Sequence, residues 1–301
     1  MVVLEKSRYS FITEFLSQIS QRRVLSFGKL LGSLAYNLDD RHRNIVVRNL
    51  EFAYPKWPRS DIQKVAQRVY QNAATTLLET LQVATFTRED ILKRVRIRGK
   101  KHLETVIKNS HGAIMISAHL GNWEMAHLAV ACCGDLSLLL VARRIRPNAV
   151  NQYLNRIRRR FGNTVIDKKK ALPKMARSLH NGKVLGLLID QAPKHGRGIG
   201  VQLLNRHTTI TPAPALLSRR YGCPILPVFC VREKDGVLTL LVEPPIQLRK
   251  TNHAYDDLKK NMQTISLTIE KAIKAYPDQW FWFHKRWKHH FPYLYKEDPE
   301  R

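Results

Sequence analysis

One pair of side chains in this sequence has the types and the spacing for acid–base chemistry. Of the twelve histidines, only His119 is followed five positions later by an acid, Glu124. Near neutral pH an imidazole can withdraw the proton of an attacking alcohol. A carboxylate on its other ring nitrogen would fix the tautomer and stabilise the imidazolium that forms. Together they could act as a general base on a hydroxyl nucleophile. The spacing alone suits a capping glutamate beside a structural histidine about as well. No other histidine or carboxylate stands at H-E-x-x-H or H-x-H spacing, so no metal is expected and a metal-dependent hydrolase is disfavoured.

The elements around the pair strengthen the chemical reading. Ala113 to Ser117 is an apolar run that reads as a buried strand, and Asn122 to Val130 reads as the helix after it. His119 then stands at the carboxyl end of a strand, where open α/β sheets place their ligands. Gly121 permits a tight turn, and Asn122 is a good cap for a helix carrying Glu124 in its first turn. Amide groups at that helix start could meet an oxyanion or a phosphate.

Further runs, Leu136 to Val141 and Val184 to Ile189, alternate with stretches of helical character, the pattern of an α/β sheet covered by helices. Ile225 to Val231 and Val237 to Val242 flank Asp235-Gly236, a hairpin turn pair, so the central sheet is expected to be mixed. Ser60 to Phe86 and Tyr255 to Ala275 read as long helices.

Composition adds a partner of negative charge. Lysine and arginine number 51 against 24 acidic residues, a formal net charge of +27. Nucleic acid, an anionic lipid surface or an acidic carrier protein would each answer it. The four cysteines form no zinc or C-x-x-C spacing and suit a reducing compartment, and Met1 to Lys6 lacks the features of a secretory signal. No stretch reaches the roughly 18 apolar residues of a spanning helix. Val24 to Leu38, interrupted by Lys29, reads as an amphipathic helix lying on a membrane or on the protein's own core. The tail from Trp280 to Phe291 mixes aromatic and basic residues, as in a membrane-interface belt, a base-stacking surface or a core-packed end.

His119-Leu120-Gly121-Asn122-Trp123-Glu124 resembles the H-[FL]-G-N-W-E signature, an H-x4-E motif, of the bacterial lipid A lauroyl and myristoyl acyltransferase family, within the lysophospholipid acyltransferase superfamily. Arg48 to Leu50 with Phe52 to Pro55, Leu78-Glu79, Val141 to Arg143, Ile157 to Asn163, Leu188 to Gln191, Thr211-Pro212, Pro227 to Phe229 and Tyr276 to Lys288 are similar to further elements of that family. The resemblance runs from about Leu25 to Lys288.

The resemblance implies a glycerol-3-phosphate acyltransferase-like α/β fold. It implies transfer of a fatty acyl chain to a hydroxyl of a membrane lipid, such as a lipid A precursor or a lysophospholipid. The donor would be acyl carrier protein or acyl-CoA, with no cofactor beyond that thioester. His119 is implied as base and Glu124 as its partner, with Arg158, Asp190 and Arg143 as further functional residues. Arg158 and Arg143 are expected to bind phosphate, because guanidinium forks suit phosphate oxygens, and Gly121 and Asn122 are counted with them at the substrate. Residues 1–40 are expected to associate with the membrane and 41–301 to form the acyltransferase domain. The expected place is the cytoplasmic face of the inner membrane, as a peripheral or monotopic protein. A basic nucleic-acid-binding protein is the rival reading, although no helix-turn-helix, zinc-finger or RNP signature is present.

Overall fold

Near-continuous apolar runs such as Ile225 to Val231 can be strands only if both faces are covered, which is the condition of a parallel sheet between helical layers. The computed structural model has that architecture and describes residues 18–169, 171–194 and 196–296. The reading of Met1 to Lys6 lies outside the described residues.

Seven strands form the central sheet in the order β1-β9-β8-β2-β5-β3-β4. They are β1 (Val95–Arg98), β2 (Ala113–Ser117), β3 (Leu138–Ala142), β4 (Thr164–Asp167), β5 (Val184–Leu188), β8 (Ile225–Arg232) and β9 (Leu238–Val242). Neighbours are parallel except β8 and β9, the hairpin signalled by Asp235-Gly236. The sheet is therefore mixed, as expected. A separate antiparallel hairpin, β6 (Ile199–Leu203) and β7 (Arg206–Ile210), packs against the long helix Ala254–Ala275, with Ser266 and Gln263 bonded to the Gln202 backbone.

Ten helices surround the sheets among the described residues. Those that bear on the site are α1 (Gln21–Leu38), α3 (Arg59–Val83), α6 (Trp123–Gly134), α7 (Asn148–Arg158) and α10 (Ala254–Ala275). Alternate strand residues feed two apolar clusters, one on each face of the sheet. Ile114, Ile116, Leu185 and Leu187 face one cluster, and Met115, Leu138, Leu140 and Val228 face the other with α6.

Helix α1 sits close on α3 through its small residues. A Cβ on Gly28 would stand 2.2 Å from Thr75 Oγ1, and one on Gly32 2.3 Å from the Gln71 Cα. That seating turns Phe27, Leu30, Leu31, Leu34 and Leu38 outward, with Leu38 83% exposed. No described helix is long and apolar enough to cross a membrane.

The aromatic tail differs from an interface belt. Trp280, Trp282 and Trp287 are buried in the core, in mutual edge and tilted contacts, on an irregular path flanked by two short 3₁₀ turns, Pro277–Gln279 and Pro292–Tyr295. Three indoles at this spacing could not all reach a lipid surface, since they fill one interior.

Candidate active site

The parallel strands deliver the site residues to one end of the sheet. β2 ends at Ser117 and releases His119, β3 ends at Ala142 and releases Arg143, and β5 ends at Leu188 and releases Asp190. Because β2 and β5 are hydrogen-bonded in register, Ser117 opposite Leu188, the residues just beyond them are neighbours.

Asp190 Oδ1 lies 2.8 Å from His119 Nδ1, and its Oδ2 accepts from the His119 backbone N–H at 3.1 Å and from Trp280 Nε1 at 2.8 Å. The carboxylate that orients the imidazole is thus Asp190, and the expected bond from His119 to Glu124 is absent. Glu124 instead accepts two contacts from Arg158 Nε, at 2.9 and 3.2 Å, and a further one from Arg158 Nη2, and it receives His127 Nε2 at 3.2 Å. On a helix the first turn points where its axis dictates, and α6 aims Glu124 toward α7, whose last residue is Arg158.

Charge follows this geometry. Burial disfavours the imidazolium of His119, but Asp190 beside it, with Glu124 adding at longer range, outweighs that and raises the pKa above 6.5. Burial would push the Asp190 carboxyl up, yet His119 and the Trp280 donor hold it well below the usual carboxylate range. Glu124 is likewise held low against its burial, by Arg158 and His127. His284, packed edge-on to Trp280 behind Asp190, is pushed down to about 4, chiefly by burial.

Beside His119 opens a cavity of about 380 Å³. Its walls are apolar, from Met115, Ala126, Val130, Leu138, Leu140, Gly186 and Val228, and its polar groups gather with His119, Glu124, Arg143, Arg158 and Lys168. A narrow set of polar groups above an apolar slot is the form of a site for an amphiphile. His119 Nε2 makes no hydrogen bond among the described residues, and neither does Arg158 Nη1. Arg143 is exposed at the rim.

Gly121 and Asn122 do not face this cavity, contrary to the expectation that they meet substrate. Gly121 has φ 59°, and a Cβ there would stand 2.1 Å from the Cys230 carbonyl oxygen, so the turn requires glycine. Asn122 is wholly buried and caps α6, its Oδ1 accepting from Met125 N at 2.9 Å. The Gly121 and Asn122 amides donate to Gln279 O and Cys230 O, so they are spent on the fold and unavailable to an oxyanion.

Sequence reasoning placed Asp190 at the substrate and missed its bond to His119. It also missed Trp280, His127 and the contact of His127 with Asn163, whose Oδ1 caps the start of β3 at Leu138 N. The quoted Leu188 to Gln191 and Trp280 elements held the signal for the first two, but no spacing rule joins residues 71 and 90 positions apart.

Comparison with known proteins matches the sequence to a family. Residues 7–289 match the model of the bacterial lipid A biosynthesis acyltransferases. The chain is 24% identical over 271 residues to the lipid A biosynthesis lauroyltransferase of Escherichia coli K12, covering 88% of this chain and 85% of that protein. It is 21% identical over 268 residues to the palmitoleoyltransferase of the same organism, with the same coverage. It is 24% identical over 196 residues to the phosphatidylinositol mannoside acyltransferase of Mycobacterium tuberculosis H37Rv, covering 64% and 59%. Among solved structures, the 1-acyl-sn-glycerophosphate acyltransferase PlsC of Thermotoga maritima aligns with a TM-score of 0.39 and 11% identity over 87% of this chain and 99% of that one. A family model spanning nearly the whole sequence decides between the enzyme and the nucleic-acid-binding readings: the chain is a lipid acyltransferase and belongs to the bacterial lipid A biosynthesis acyltransferase family.

Proposed function

We propose that the protein moves a fatty acyl chain from a thioester, on acyl carrier protein or CoA, to a hydroxyl of a lipid A precursor or lysophospholipid. The work would take place at the cytoplasmic face of the inner membrane. The observation that carries this reading is the unbonded Nε2 of His119, backed by Asp190 and opening on an apolar cavity.

In this mechanism the acceptor oxygen attacks the thioester carbonyl while His119 Nε2 takes its proton. Asp190 stabilises the imidazolium through Nδ1–H. The tetrahedral intermediate collapses with cleavage of the C–S bond, and the imidazolium returns the proton to the departing sulfur. Ester and free thiol result. Arg158, fixed by Glu124, offers Nη1 to the developing oxyanion or to a phosphate of donor or acceptor. Arg143 and Lys168 at the rim suit the phosphates and acidic surface of the partners. The outward apolar stripe of α1, with Arg22, Arg23 and Lys29 on the same helix, suits an anionic membrane surface.

The test is acyl transfer from labelled lauroyl-acyl carrier protein and from lauroyl-CoA to a lipid A precursor and to a lysophospholipid, read by lipid mass analysis. His119→Ala should abolish the product with the fold intact. Full activity of that variant would refute the reading.

A further inference from the structure

Beneath the turn that carries His119 lies a buried ion pair with no part in the chemistry above. Arg232, at the end of β8, donates to Glu79 of α3 through Nη1 and Nη2, at 2.5 and 2.7 Å, with side chains 9% and 2% exposed. Glu79 accepts two more bonds, from Asn122 Nδ2 at 2.9 Å and from Gln21 Nε2 of α1 at 2.6 Å. Thr76, one turn earlier on α3, donates to Gly121 O at 3.1 Å.

A buried ion pair is weak as a source of stability, because desolvation of both charges offsets their attraction and an apolar pair often serves as well. What this pair does geometrically is to hold two side-chain amides, Gln21 on α1 and Asn122 at the head of α6, and the second of these bears on the site. Asn122 is clamped between Glu79 and the α6 amide it caps, and its own N–H donates to Cys230 O. His119 is anchored separately, to Asp190 beyond β5, while Glu124 and its Arg158 ride on the first turn of α6. The four residues from Leu120 to Trp123 join the two anchorages, braced at their start by the bonds of Phe281 N–H to His119 O and of Gly121 N–H to Gln279 O, so the registration of the α6 end depends on how Asn122 is seated.

We propose that Glu79 is a positioning residue: held by Arg232, it fixes Asn122 and thereby sets the first turn of α6, and with it the Glu124–Arg158 pair, opposite His119. This rests on the acyltransferase reading. Small displacements are costly in such a site, on the order of a hundredfold in rate for about 1 Å.

The test uses the full chain and the lauroyl-acyl carrier protein assay. Glu79→Met with Arg232→Met removes both charges together and leaves Asn122 Nδ2 and Gln21 Nε2 without their acceptor, and Gln21→Ala alone, which should keep kcat within twofold, separates the loss at α1 from the loss at Asn122. It should lower kcat by about tenfold or more, with KM for the donor within about twofold. Glu79→Gln in the Arg232→Met background returns an acceptor to Asn122 and should recover at least half of the lost kcat. Asn122→Asp keeps the helix cap but turns a carboxylate toward Glu79, and guards against a double variant that does not fold. In it, and in the folded double variant, the ring-nitrogen NMR titration of His119 should move from that of the unmodified protein, because Glu124 and Arg158 move. A kcat within twofold together with an unmoved titration overturns the proposal. If the unmodified protein transfers no acyl group, the acyltransferase reading fails, and the titration alone decides the positioning.

Discussion

His119 and Asp190 share a hydrogen bond of 2.8 Å between Nδ1 and Oδ1, across the joint ends of β2 and β5, and Trp280 donates to the carboxylate's second oxygen. The arrangement divides the nearby carboxylates by task. Asp190 holds the imidazole, and Glu124 holds a guanidinium.

Asp190→Asn should therefore be the more damaging change at the imidazole. An amide cannot stabilise the imidazolium and can select the wrong tautomer, which costs on the order of 10⁴ in kcat in a comparable triad. Steady-state rates beside Asp190→Glu and wild type would check it, and a loss below tenfold would remove Asp190 from the mechanism.

The pH profile follows from the direction of the His119 shift. As a base His119 must be neutral, and its pKa is raised above 6.5, so kcat/KM should fall as pH drops through that raised value. Asp190→Asn removes the main raising cause while burial remains, so the acid limb of the residual activity should move to lower pH. A limb that moves upward would contradict the pairing.

Glu124 and Arg158 should behave as one unit. Glu124→Gln leaves a buried cation with no carboxylate partner, a loss of about 3–5 kcal/mol in stability. In kcat/KM the Glu124→Gln and Arg158→Gln effects should not add: the double variant should be little worse than either single one. Additive losses would show that each acts alone.

Acid stability tests the two buried carboxylates together. Both have folded pKa values below their ordinary 3.8 and 4.5, so each contributes stability that is complete above those ordinary values and is lost as pH falls toward the folded ones. Melting temperature should drop steeply below about pH 4.5. The drop should be shallower in Asp190→Asn, and an unaltered slope would count against an ionised Asp190.

The cavity wall offers a fifth test, of acyl chain length. Gly186 sits in mid-strand, and a Cβ there would come 2.6 Å from Leu140 Cδ2, forcing that side chain to give way within the cavity lining. Gly186→Ala should shift preference toward shorter acyl donors, read by competition among carrier-protein thioesters. An unchanged product distribution would mean that the chain lies elsewhere.

The sequence by itself determined the local frame of this site. The apolar run Ala113 to Ser117 became β2 with those same ends, the helix carrying Glu124 followed it, and Asp235-Gly236 turned the one antiparallel pair of the main sheet. These features are legible because side-chain periodicity and turn chemistry act over a few residues. The short strands β1, β4 and β7 are not legible, because VRIR, TVID and RHTTI mix charged and polar residues into the run where β2 is almost wholly apolar. Tertiary structure decided which carboxylate reached which partner. Asp190 met His119 because β5 packs beside β2, an order set by long-range burial and by no local rule. Glu124 was aimed at Arg158 by the seating of α6 against α7. Sequence spacing put Glu124 near His119, but hydrogen bonding depends on direction as well as proximity, and direction belongs to the packed elements.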